Sequence, residues 1–279
     1  MYILFDIGAT NMRLAASADG RALGEIRNLA TPKEFEEGIE VFKGAALELA
    51  KGERIEAVVG GIAGPLNKDK TMAVGGPNIP GWWNKPLKDA LEKALTTVAY
   101  IENDAAMGTL GEAIYGAGRG YPIVVYITVS TGVGGARVVN GKIDECAMGF
   151  EPGAQIIDAG NALCPGWSER GYLINYISGA DIERQCGKKP YEITDEKFWD
   201  DRARFLAYGL NNITVIWSPD IIILGGSMMN EIGIPVERVR YYLKEALNIF
   251  PTPPVVEKAK LGDELSLYGA LAYINQNLE

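Results

Sequence analysis

Two stretches of this 279-residue chain follow the same plan. ILFDIGATNMRLAASADGRALGE, beginning at Ile3, and YITVSTGVGGARVVNGKIDE, beginning at Tyr126, each read as an apolar strand, a Gly/Thr turn, a second strand, a turn dipeptide and a further strand. One supersecondary unit therefore occurs twice. The length fits either one large α/β domain or two lobes of roughly 100–200 residues each, and two lobes would imply a cleft.

Residues 2–5 read as a buried strand, and strands over 12–18 and 22–28 flank Asp19-Gly20, a dipeptide that favours a type I′ hairpin. Phe35, Ile39, Phe42, Ala46 and Leu49 recur at helical spacing and predict a helix over 34–51, followed by a strand over 55–62. Residues 74–86 form a Gly/Pro/Asn loop carrying Trp82 and Trp83, of the structured kind that serves ligands; either indole could wall a binding pocket, with packing the plainer use of at least one. A helix over 86–95, a strand over 98–102 and a helix over 104–116 complete the first half. The second half reads as strand 122–129, the STGVGG turn, the strand ARVV and a second hairpin signal at Asn140-Gly141. A long helix over 195–217, the strand IIIL at 221–224 ending in Gly225-Gly226, a helix near 235–248, a strand over 254–258 and a helix over 266–277 follow.

The chain contains no histidine. This excludes Ser-His-Asp and Cys-His hydrolysis and His-ligated zinc, and leaves a carboxylate, Lys, Tyr or Cys as general base. The formal net charge is −9, with no block of Lys or Arg. Nucleic acid and acidic membranes are poor partners for such a surface, whereas a small anion is not, because Gly turns bind phosphate through backbone N–H groups. No apolar run reaches the ~18 residues of a membrane span, and the predicted location is the cytoplasm. Cys146, Cys164 and Cys186 are odd in number and widely spaced, which indicates neither a disulfide framework nor a metal site.

Asp6-Ile-Gly-Ala-Thr-Asn11 follows a buried strand, so its Gly and Thr could cradle a phosphate while Asp6 holds hydrated Mg²⁺; an Asp beside an ordinary Gly turn would look the same. Ser130-Thr-Gly-Val-Gly-Gly135 offers a matching turn in the second half. Gly225-Gly226 marks the carboxyl end of a strand, where an adenosine could lie or a plain turn could stand. Asn103-Asp104 ends one strand and begins a helix, the setting of an N-cap, and a carboxylate fixed there is held in one geometry.

With these residues the chain resembles the sugar-kinase branch of the repressor, open reading frame, kinase (ROK) family. The likeness runs through DIGATNMR, GGIAGPLN, GGPNIPGWW, IENDAAMGTLGEA, STGVGG, IIILGGS and LGDELSLYGALAYI. It implies the duplicated ribonuclease-H-like, actin-like ATPase fold, with an N-terminal lobe of residues 1–112 joined by the C-terminal helix 266–279, and a C-terminal lobe of residues 113–265. It implies ATP and Mg²⁺ as requirements, Asp104 as the base that deprotonates a sugar hydroxyl, and Asn78, Asn103, Glu151 and Gly64 on the sugar side. Asp6, Gly8, Thr10, Asn11 and Arg13, with Thr131, Gly132 and Gly134, fall on the phosphate and Mg²⁺ side, and Gly225 and Gly226 beside the nucleotide. A homodimer is among the assemblies it implies.

The departures from the family pattern are local. Where many members read Gly-Glu-x-Gly-His, this chain reads Phe150-Glu151-Pro152-Gly153-Ala154, and a CxCGxxGCxE zinc cluster is reduced to Cys164, with Ile174 at a sugar-binding Glu. The expectation is a glucokinase-like enzyme, phosphorylating O6, without zinc. The rivals are a sugar- or nucleotide-binding protein without turnover, a kinase for fructose or an N-acetylhexosamine, and a sugar-responsive repressor, for which this chain shows neither a helix-turn-helix segment nor a basic patch.

Overall fold

A computed structural model describes residues 1–75, 79–168 and 170–278. The chain divides into two compact units: Met1–Arg119 with Gly141–Gly149 and Leu261–Glu279, and Gly120–Asn140 with Phe150–Lys260.

In the first unit, strands β1 (Tyr2–Ile7), β2 (Asn11–Ser17), β3 (Ile26–Ala30), β4 (Ala57–Ile62) and β5 (Val98–Asn103) form one sheet in the order β3-β2-β1-β4-β5. The meander β1-β2-β3 is antiparallel, whereas β1, β4 and β5 run parallel. Side-chain alternation divides the core between the faces. Ile3, Phe5 and Ile7 pack with Phe42 and Leu49 of helix α1 (Phe35–Ala50) and Leu91 of helix α2 (Leu87–Leu95). Leu4 points the other way, toward Met107 of helix α3 (Asp104–Ile114) and Leu267 of the C-terminal helix (Leu265–Asn277).

Strands β6 (Ile123–Val129), β7 (Val133–Val139), β8 (Lys142–Ile143), β9 (Ile221–Gly225) and β10 (Val255–Lys258) form the second sheet, ordered β10-β9-β6-β7-β8. Read from its other edge, this sheet repeats the first strand for strand. The β6-β7 pair is antiparallel and β6-β9-β10 is parallel, as in the first sheet. Helices α4 (Leu173–Ile177), α5 (Gly179–Cys186), α6 (Glu196–Trp217) and α7 (Val236–Ala246) belong to the second unit, and Leu265–Asn277 is α8.

The two turn dipeptides behave differently. Asn140 and Gly141 both have positive φ, 51° and 75°, and join β7 to β8 directly, the geometry a type I′ turn requires. At Asp19-Gly20 only Gly20 has positive φ, 76°, and β3 starts not at 22 but at Ile26. The Ser17 hydroxyl explains the longer connection: it accepts the Gly20 N–H at 3.1 Å and donates to the Ala22 carbonyl at 2.7 Å, holding a loop rather than a tight hairpin. Trp82 is a core residue, edge-on to Phe35 with its indole N–H donating to the Pro32 carbonyl at 2.9 Å. Among the described residues no helix is long and apolar enough to cross a membrane.

Candidate active site

In the first unit, the ends of β1 and β5 bring two carboxylates to one place. Asp6 is the penultimate residue of β1, in register with Arg13 on β2 and Gly61 on β4. Arg13 Nη1 donates to Asp6 Oδ2 at 3.2 Å, and its Nη2 lies 3.4 Å from Asp263 Oδ2. Burial pushes the Asp6 carboxyl up to about 7, the charge of Asp104 adds to the rise, and Arg13 and Ser266 oppose it.

Asp104 opens α3 close against the sheet, because position 61 has no side chain: a Cβ there would lie 2.8 Å from the Asp104 Cα. The capping role falls to its neighbour. Asn103 Oδ1 accepts the Ala106 N–H at 3.1 Å, and Asn103 Nδ2 donates to the Gly64 carbonyl at 3.1 Å, which ties the GGIAGPLN loop to the helix start. Asp104 Oδ1 accepts the Ala105 N–H at 2.9 Å. Burial holds its carboxyl above the usual range, against the pull of the Ala105 and Asp104 backbone N–H groups and the Asn103 side chain. Ser266, in the first turn of α8, donates to the Asp104 main-chain carbonyl at 3.2 Å and stands near enough to the Asp6 carboxyl to favour its ionised form, a link between the two residues that sequence reasoning missed.

The turn after β1 is built to stay open. The Gly8 N–H donates to the Asn11 carbonyl at 2.9 Å, the Thr31 hydroxyl donates to the Gly8 carbonyl at 2.7 Å, and Thr10 and Asn11 are left exposed. Asn78 lies outside the described residues.

In the second unit the turn Ser130–Gly132 joins β6 to β7, closed by Ser130 N–H donating to the Gly132 carbonyl at 2.8 Å, and Gly134 follows in β7. The Ser130 and Ser227 hydroxyls lie 3.0 Å apart, so Thr131, Gly132 and Gly134 share one corner with Gly225 and Gly226. Both of these glycines are sterically required: a Cβ at 225 would meet the Tyr126 hydroxyl at 2.4 Å, and Gly226, with φ +90°, would carry one 2.3 Å from the Val129 carbonyl. Ile174 lends the corner an apolar wall, its Cδ1 lying 3.8 Å from where a Gly132 Cβ would stand. Glu151 is exposed on the rim of a groove of about 500 Å³ walled by Asn212, Val215, Ile216 and Trp217, and that lining includes none of the turn residues.

The segment that departs from the family zinc motif is organised by other means. The Asp158 carboxylate accepts the N–H groups of Ala162 and Leu163 at 2.8 and 2.9 Å and the Tyr176 hydroxyl at 2.9 Å. Burial opposes ionisation there, yet these donors hold the carboxyl below its usual range. Beside it the buried Arg202 guanidinium stacks 4.3 Å from the Trp167 ring and 3.8 Å from Phe198. Zinc does not fit this donor set: Cys164 stands beside the Arg202 cation, and among the described residues no group of three or more His, Cys, Asp or Glu side chains is placed to hold a metal ion.

Two copies of a β-sheet unit, each with a Gly/Thr turn, and a buried Asp6 beside a half-buried Asp104 at one of them define an α/β protein of the actin-like ATPase class. The chain belongs to the ROK family, which it matches over residues 2–277. It is 30% identical to an N-acetyl-D-glucosamine kinase from Citrobacter koseri, over 97% of this chain and 98% of that protein. It is 29% identical to a glucokinase from Thermotoga maritima, over 80% of each. A ROK family glucokinase from Streptomyces griseus, solved in complex with glucose and AMPPNP, shares the fold with a TM-score of 0.81 at 25% identity, covering 99% of both chains.

Proposed function

We propose that this chain, a sugar kinase of the ROK family, transfers the γ-phosphoryl group of ATP to O6 of a glucose-type hexose with Asp104 as general base. The observation that carries the reading is the Asp104 carboxylate: it is fixed at the start of α3, relieved of capping by Asn103, and raised by burial toward the range where a base works. In this reading Asp104 accepts the proton of the sugar hydroxyl as that oxygen attacks phosphorus, while Asn103, Gly64, Asn78 and Glu151 hold the sugar. The open turns at Gly8, Thr10 and Asn11 and at Thr131, Gly132 and Gly134 bind phosphates through backbone N–H groups and hydroxyls, Arg13 adds a cation, and Gly225 and Gly226 flank the adenosine. The choice of ATP is supported by the Streptomyces griseus relative, which was solved with AMPPNP.

The donor set fits magnesium. Asp6 carries a carboxylate raised to about 7 by burial and by a second acid, a state that a divalent cation bound through water would relieve. When bound, Mg²⁺ supplies neutralisation of charge on the transferring phosphoryl group. The working compartment in this reading is the cytoplasm, where ATP is kept.

A second reading, phosphorylation of an N-acetylhexosamine, is favoured by the Citrobacter koseri relative. Coupled ADP release across glucose, mannose, fructose, N-acetylglucosamine and N-acetylmannosamine decides between them. ADP release that no sugar stimulates would reduce the chain to a binding protein and overturn both readings.

A further inference from the structure

Glu112 is wholly buried in the last turn of α3, and no step of the proposed reaction uses it. Its Oε2 accepts the Ala117 N–H at 2.7 Å, and its Oε1 accepts the Leu261 N–H at 2.8 Å. Its backbone carbonyl accepts the N–H groups of Gly116 at 3.1 Å and Gly118 at 2.9 Å. These donors stand at the roots of two of the four connections, since the chain first leaves the first unit after Arg119 and last returns to it at Leu261, crossing twice more around Gly141–Gly149. One residue thus holds the first outgoing and the last returning segment.

The tie is tight on one side and free on the other. A Cβ at Gly116 would lie 2.1 Å from Glu112 Oε2, so the outgoing segment runs directly against the carboxylate. The helix beneath is locked to α8, where a Cβ at Gly111 would meet the Leu265 carbonyl at 2.2 Å and one at Gly269 the Met107 carbonyl at 1.8 Å. Gly120, by contrast, has φ +91° and open space where a Cβ would stand. A buried carboxylate held by backbone N–H groups gives a stiff anchor, and the glycine just beyond it gives the first position free to turn.

We propose that Glu112 is a positioning residue that ties the first and the last of these connections to the helix carrying Asp104. Bending of the outgoing connection is thereby confined to residues beyond Gly118, and Asp104 keeps its place when that connection bends. The effect on turnover rests on the kinase reading above; the tie itself does not.

The test is Glu112→Gln, which keeps the volume but turns an NH₂ toward one of two backbone donors. Amide hydrogen exchange at Ala117 or Leu261 should accelerate by about tenfold or more, and kcat per folded molecule should fall about 10- to 100-fold, the scale of a small misplacement, with the sugar Kd little changed. Wild-type exchange at both amides overturns the proposal. Faster exchange with an unchanged kcat also overturns it, since Glu112 would then be structural only. If the variant does not fold, exchange in the wild-type protein decides: Ala117 and Leu261 must be as protected as the interior of α3, and rapid exchange at either refutes the tie. A wild-type protein that shows this protection but never turns over ATP would sink the kinase reading and leave the anchor standing.

Discussion

Asp6 and Arg13 occupy paired positions on adjacent antiparallel strands, and the guanidinium reaches the carboxylate at 3.2 Å. Even so, burial and the charge of Asp104 prevail over that ion pair and carry the Asp6 carboxyl to about 7. The folded protein therefore retains a proton that the unfolded chain releases near 3.8. This contribution to stability is complete below the unfolded value and is lost as pH rises through about 7. In ligand-free protein, the melting temperature of the wild type relative to Asp6→Asn should decline across that window. Parallel curves for the two proteins would contradict the assignment. At neutral pH, binding of Mg-nucleotide should release protons, measurable as buffer-dependent heat in calorimetry.

Asp104→Asn removes the base and leaves the helix cap with Asn103. We expect kcat to fall by about 10² to 10⁴, with melting temperature and nucleotide affinity close to wild type. Turnover near the wild-type rate would show that another group takes the proton.

Asp158→Asn replaces a carboxylate that accepts two N–H groups and a tyrosine hydroxyl with an amide that must face some of them with its own donors. The expected loss is about 1–3 kcal/mol of unfolding free energy, read from the denaturant midpoint. Metal chelation of the wild type should leave that midpoint unchanged, and elemental analysis should find no stoichiometric zinc. A midpoint that drops with chelator would mean a metal holds the loop.

A prediction on substrate choice rests on Ala154 and Ile174, where the family resemblance would place a sugar-binding His and Glu. A site that hydrogen-bonds a hydroxyl can reject analogues lacking it by about 10⁴ or more, because its polar groups are left unpaired. With an apolar wall there instead, glucose, mannose, 2-deoxyglucose, N-acetylglucosamine and N-acetylmannosamine should differ in kcat/KM by less than that. A larger preference for any one of them would show that other residues rebuild the lost contacts.

The repeated strand-turn-strand plan made the duplicated fold readable, because the same apolar strand followed by a Gly/Thr turn and a second strand recurs in both halves of the sequence. DIGATNMR and IENDAAMG likewise stood out as a Gly/Thr turn and a helix start. Ser266 did not: it reaches Asp104 from 162 residues away, through packing of α3 on α8 that no local pattern records. Helices α4 and α5 went unread because they are only 5 and 8 residues long, with Ser178 ending one and capping the next. The division of labour at residues 103 and 104 also needed coordinates, since Asn and Asp are equally good caps by composition.

Duplication has supplied the same turn twice and charge once. The first copy carries Asp6 and Arg13, whereas residues 122–136 of the second contain no charged side chain at all. Twin halves that began with one architecture have thus become chemically unlike, one acidic and ionisable, the other a neutral amide-and-hydroxyl surface whose behaviour should be indifferent to pH. Variation in the second turn should accordingly be limited by shape, and in the first by electrostatics. Exchanging the two turns within this scaffold would preserve the backbone path and abolish the asymmetry on which the chemistry depends.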